Sequence, residues 1–133
     1  MRIFNAIKQA FINLVDEDTS AYPRGQAGYS SKATNFVRLS PYGLDSNPPE
    51  GAFCLLISSQ GKESGKFGIS SDFLRRFKEL KEGEVAVYNT LTESFVLLKE
   101  DGNIAIEAKG GLVEISGEVV VSGVVTAADF ITA

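Results

Sequence analysis

From Val113 the chain repeats itself every six residues, as VEISGE, VVVSGV and VTAADF. Val113, Ile115, Val119, Val121, Val125 and Ala127 share one parity, while Gly117 and Gly123 recur at one phase. Alternation with period 2 is the signal of a strand. A glycine every sixth residue marks a corner where a side chain will not fit. Upstream, IAIEAK (Ile104–Lys109) reads as an earlier hexad, set apart by Gly110, Gly111 and Leu112. Short strands that turn at glycine corners coil into a β-helix or prism. A one-chain hexapeptide coil takes roughly three hexads per turn, so about four hexads complete little more than one turn. Three identical chains wound together would close each layer and leave no strand edge. Each inward Val or Ile would then contribute roughly 1.5–3 kcal/mol of burial. The C-terminal segment is therefore expected to be one third of a triple-stranded β-helix or prism formed by a homotrimer.

At 133 residues the chain accommodates one compact domain plus an accessory segment. Its net charge is −4, so a trimer would carry three times that, −12. Nucleic-acid binders are usually basic, and none is expected as a partner. There is no histidine, which excludes Ser–His–Asp and Cys–His mechanisms and a histidine-ligated metal. The one cysteine, Cys54, lies in the apolar run AFCLLIS and reads as a buried reduced thiol packing as a small hydrophobe. No apolar run approaches the ~18 residues of a membrane-spanning helix. RIFNAIKQAFINLV lacks the unbroken apolar stretch and cleavage site of a secretion signal.

Residues 2–15 are expected to form an amphipathic helix. Ile3, Ile7, Phe11 and Leu14 fall on one stripe, with Arg2, Asn5, Lys8, Gln9 and Asn13 over much of the rest. It would either pack on its own domain or dock as an arm on a neighbour. Residues 16–34, rich in Ser, Thr, Gly, Asp and Tyr, read as a linker. Then come five short strands: NFVRL (35–39), AFCLLIS (52–58), KFGIS (66–70), EVAVY (84–88) and FVLL (95–98). Turn chemistry separates them at Ser40–Gly43, Asn47–Gly51, Ser59–Gly65, Glu82-Gly83 and Asn89–Ser94, and the turn at Glu100–Asn103 marks the junction of barrel and shaft. Asp72–Leu80, with Phe73, Phe77 and Leu80 at i, i+4 and i+7, reads as a short helix before the fourth strand. The whole is mainly β: a helix and linker (1–34), a small OB-fold-like barrel (35–99) and a β-helical shaft (100–133). The shaft's outer face is acidic, with Glu107, Glu114 and Glu118 opposite the inward set.

Taken together, SPYGL, NPPEGAFCLLIS, FGIS, RFKELKEGEVAVYN, SFVLLKEDGNIAIEA and the glycine-punctuated valine hexads resemble, in that order, the phage baseplate assembly protein V family. This family contains the central spikes of Mu-like contractile tails. The resemblance covers roughly residues 35–131, and its best marker is KEGEVAVYN, Lys81–Asn89. It implies a homotrimer with an OB-fold collar and a β-helical needle, located in the virion's tail baseplate. The needle would sit under the tail hub and be driven through the host outer membrane. Many members end in an apex where H-x-H pairs hold a metal. This chain has no histidine, so no metal ligand or cofactor is carried over. Its tip would be completed by a further segment, by different means, or by a capping protein, and the apolar Phe130 and Ile131 fit such a cap.

Two other readings compete. An OB-type module binding nucleic acid would use Arg75, Arg76, Lys78 and Lys81 with Phe73 and Phe77. The aromatics, however, lie on the apolar stripe and read as core. An acyltransferase of the hexapeptide-repeat kind would need a catalytic histidine and a longer coil. A hydrolase would need paired carboxylates in a cleft, whereas the acidic residues here fall on turns and the shaft face. No catalytic residue is assigned, and the chain is not expected to be an enzyme.

Overall fold

The computed structural model describes residues 7–15, 24–29, 32–58, 65–129 and 131. The chain divides into two compact units, Met1–Lys78 and Glu79–Ala133. The described residues contain strands and no helix.

The first unit is a closed five-stranded barrel. Its strands are β1 (Ile7–Val15), β2 (Arg24–Tyr29), β3 (Lys32–Arg38), β4 (Phe53–Ser58) and β5 (Lys66–Ser71). Around the barrel they run β1-β2-β3-β5-β4, and β4 pairs back onto β1. All pairings are antiparallel except β3 with β5, which is parallel. β4 is the most apolar segment, paired on both edges, and its side chains alternate in burial along its length. Cys54 and Leu56 face inward with Ala10, Ile12, Ala27, Phe36 and Ala52, all at most 3% exposed. A five-stranded barrel has a narrow bore, which explains so many small residues in this core. At β5 the backbone itself lines the bore: a Cβ on Gly68 would stand 2.4 Å from the Phe36 ring.

Two cations are buried in the wall. Lys66 is 2% exposed, and its Nζ donates to Thr34 Oγ1 at 3.1 Å. Arg38 is 5% exposed and donates through Nη1 to the Ser46 carbonyl, tying the β3–β4 loop to the barrel. That loop returns to β4 through a turn closed by Ala52 N–H to Pro49 O at 3.1 Å. Gly51 takes φ 82° there, as the proline–glycine spacing predicts.

The predicted N-terminal helix is corrected. Residues 2–6 lie outside the described residues, and Ile7–Val15 is a strand between β2 and β4. The register of β1 slips between Ile12 and Leu14 at a bulge. A strand keeps one face at even spacing, and a bulge adds one residue. Hence Ile7, Phe11 and Leu14, spaced by four and then three, imitated a helical stripe. Tertiary pairing overrode local propensity because β4 needs a partner on each edge. Part of the predicted 16–34 linker is likewise strand: β2 and the start of β3.

Asp72–Leu80 is not a helix either. It makes one turn, Arg75 N–H to Asp72 O at 3.1 Å, and runs on irregularly to Glu79 at φ 67°. Nine residues rarely repay helix nucleation, and Phe73 instead packs edge-to-face on Phe53.

The second unit holds an open three-stranded antiparallel meander of β6 (Val85–Tyr88), β7 (Phe95–Leu98) and β8 (Ile104–Glu107). EVAVY and FVLL therefore do not belong to the barrel, whose circuit is completed by β1 and β2. Asn89 shapes the β6–β7 turn, its Oδ1 accepting the N–H groups of Leu91 and Thr92 at 2.9 and 3.1 Å. Beyond β8, residues 112–129 are exposed and outside any strand pairing among the described residues. Among the described residues the expected β-helical shaft is therefore not formed in the single chain.

Candidate interaction surface

Pairing in the meander decides which side chains share a face. Val85 lies beside Leu98 and Leu98 beside Ile104; Val87 lies beside Val96 and Val96 beside Ile106. Paired residues point the same way, so one face carries six aliphatic side chains and no polar one. Five of the six are exposed, from 45% at Leu98 to 65% at Ile104. On the opposite face Glu107 stands in register with Phe95 and is paired with Lys109. Among the described residues, the outer strands β6 and β8 each keep one edge without a ladder partner.

The hexads add further exposed apolar side chains to the same unit. Val113, Ile115, Val119, Val121 and Val125 are 50–66% exposed, whereas the opposite-phase Val120 and Val124 reach 84% and 93%. The odd phase is therefore the more sheltered one in the single chain. Gly117 takes φ 133°, a region closed to side chains. Glu114 and Glu118 alternate with this set. Ile131 is 96% exposed, and Phe130 lies outside the described residues.

The surface was half legible in sequence. The hexads announced themselves by period. The six-residue face is not legible there, because EVAVY and FVLL are apolar at both phases and suit a barrel strand equally well. The available signal was their spacing: three short strands at 85–107, separated by tight turns, form a meander by themselves.

Three residues of the predicted basic cluster, Arg75, Arg76 and Lys81, each have a local partner. Arg75 is bonded to Asp72 at 3.0 Å and reaches the Glu50 carbonyl at 3.4 Å. Arg76 turns to the Phe77 carbonyl at 3.4 Å. Lys81 belongs to the second unit and pairs with Glu100 at 2.6 Å. The hydrogen bond and charge of Glu100 hold the Lys81 ammonium above its ordinary pKa. Phe73 is about half exposed but engaged with Phe53. Cys54 is fully buried; desolvation pushes its thiol pKa up, with a Ser70 hydrogen bond acting the other way. Among the described residues, no three His, Cys, Asp or Glu side chains gather as metal ligands. Nor is any helix there long and apolar enough to cross a membrane.

No family model matches the chain, and no curated protein matches it.

Proposed function

We propose that this protein is a structural component of a phage, or phage-like contractile, tail baseplate. Three copies form the central spike that attaches below the tail hub and pierces the host outer membrane. It performs no catalysis and carries no cofactor. The observation that carries this reading is the number of exposed apolar side chains in the second unit, those of the six-residue sheet face and those of the in-phase hexad residues. Full burial of a Val, Leu or Ile side chain is worth roughly 1.5–3 kcal/mol. These are half to two-thirds exposed, so covering them gains about 1 kcal/mol each and on the order of 10 kcal/mol per chain. That sum is comparable to the whole stability of a small domain, large enough for an obligate assembly. Closure by three copies would also supply hydrogen-bond partners for the free edges of β6, β8 and the hexads.

Further support comes from the barrel. Its strands β4-β1-β2-β3 lie in Greek-key order, with β5 closing the gap. This suits a five-stranded barrel of the OB type, the collar that the sequence resemblance implies. The needle acts through stiffness: interchain ladders and a dry interior leave no soft joint along the shaft. The exposed apolar Ile131 suits a tip completed by a capping protein or further chain.

Sedimentation equilibrium tests this reading. A trimer at three times the 14.3 kDa chain mass is expected, independent of concentration down to the nanomolar range. Val119→Asp and Ile106→Asp each place three carboxylates near one axis, where desolvation costs several kcal/mol per charge, and each should give monomers. A folded wild-type monomer, or a Val119→Asp trimer that melts like wild type, would overturn the proposal.

A further inference from the structure

Where the β3–β4 loop meets β5, the barrel holds a cavity of about 100 Å³. Its lining combines Arg38, Ser46 and Ser70 with the apolar Leu39, Pro48 and Ile69. Arg38 is 5% exposed, so the cavity is walled in part by a buried cation. Hydrogen bonds hold the walls in place. The Leu39 N–H donates to Gly68 O at 2.9 Å, and Arg38 Nη1 donates to Ser46 O. The Asp45 carboxylate accepts from Ser40 Oγ at 3.1 Å and from the Ser46 N–H at 2.9 Å. The Leu44 N–H closes a turn on Pro41 O at 3.0 Å. The cavity is therefore formed before anything enters it, as ligand sites usually are.

We propose that this cavity binds a carboxylate carried on a short aliphatic stem, the carboxylate on Arg38 and the stem against Leu39, Pro48 and Ile69. Among the described residues the lining holds one cation and no carboxylate, so its charge suits an anion. A guanidinium presents five N–H donors in a planar fork, so it can hold the Ser46 carbonyl and a carboxylate together. The volume falls well below the roughly 300 Å³ at which sites for drug-sized ligands begin, too little for a nucleotide. A bare oxyanion such as phosphate would make no use of the apolar lining. The group that fits is the head of a small aliphatic acid or the C-terminal residue of a polypeptide. The site uses barrel residues only and does not depend on the trimeric reading above.

Titration of the isotopically labelled full-length chain, followed by amide NMR at neutral pH, tests the proposal. The probes are butyrate, its neutral amide butyramide, inorganic phosphate, and an N-acetylated tetrapeptide ending in valine with a free or an amidated C-terminus. Butyrate should shift the amides of Leu39, Ser46, Ile69 and Ser70 with a Kd of about 1 mM, the strength open to so small a ligand. Butyramide and phosphate should each bind at least about tenfold more weakly, since a charge-assisted bond or the stem contacts are lost. Arg38→Met should weaken butyrate by a similar factor. Because Arg38 is buried, Ser46→Leu serves as the second variant: it fills the cavity from an exposed position and keeps the backbone carbonyl that Arg38 holds. A free-acid peptide that binds more tightly than both butyrate and its own amidated form assigns the site to a polypeptide end; weaker peptide binding assigns it to a free acid. Butyrate that shifts no lining amide, butyramide or phosphate that binds as well as butyrate, or unchanged butyrate binding by Ser46→Leu would overturn the inference.

Discussion

Gly68→Ala probes the closure of the barrel at its tightest point. Gly68 sits on β5 opposite Leu56 of β4 and in parallel register with Arg38 of β3. An added Cβ would lie 2.4 and 2.6 Å from two carbons of the Phe36 ring and 2.8 Å from the Cys54 sulfur. Comfortable carbon contacts begin near 3.5 Å, so the overlap with the ring is about 1 Å. Neither neighbour has room to withdraw: Phe36 is 3% exposed and Cys54 fully buried. Overpacking of this kind costs about 1–3 kcal/mol. At about 4–8 °C per kcal/mol for a domain of this size, the barrel transition should fall by roughly 5–20 °C. The assay is thermal unfolding followed by near-ultraviolet circular dichroism, in the wild-type and Phe36→Leu backgrounds. Shrinking the ring should recover part of the loss, giving a double-mutant coupling above about 0.5 kcal/mol. Equal cost in both backgrounds, or a loss under about 0.5 kcal/mol, would show that β5 does not press its backbone against Phe36.

Two further outcomes are expected. Deleting residues 7–15 removes a barrel strand and strips partners from both β2 and β4, so cooperative unfolding of the first unit should vanish; a deletion variant retaining its melting transition would return this segment to the role of a detachable arm. At the β7–β8 turn, hydrogen bonds from Asn103 hold the Asp101 carboxyl below its ordinary pKa. A lowered folded-state pKa contributes stability above the unfolded value that is lost as pH falls through the folded one. The Asn103 amide resonance should therefore titrate with a midpoint below that of an unstructured aspartate. Asp101→Asn should abolish the titration; a midpoint at or above the ordinary value would show the bond does not favour the carboxylate.

What the chain wrote locally could be read without its structure. Turns came from proline and glycine spacing, as at Pro49–Ala52 and Lys81–Glu84, each closed by its hydrogen bond. Six strands, from NFVRL to IAIE, came from alternation and apolar runs. The hexads, and hence the half of the apolar surface that they supply, came from their six-residue period. These features depend on a few neighbouring residues, so neighbouring residues suffice to show them.

Only the tertiary structure decided how the strands are shared out. Ile7–Val15 satisfied a helical stripe because a bulge breaks its alternation; the demand of β4 for a second edge made it a strand. EVAVY and FVLL are apolar at both phases, so their alternation could not say whether they line a barrel or form a separate sheet. Burial of Arg38 and Lys66 was equally invisible, because a charge enters a wall only when distant partners such as Ser46 O and Thr34 Oγ1 are brought to it. Pairing between segments far apart in sequence is set by which edges and faces remain to be covered after the chain has folded, and that information resides in no single stretch.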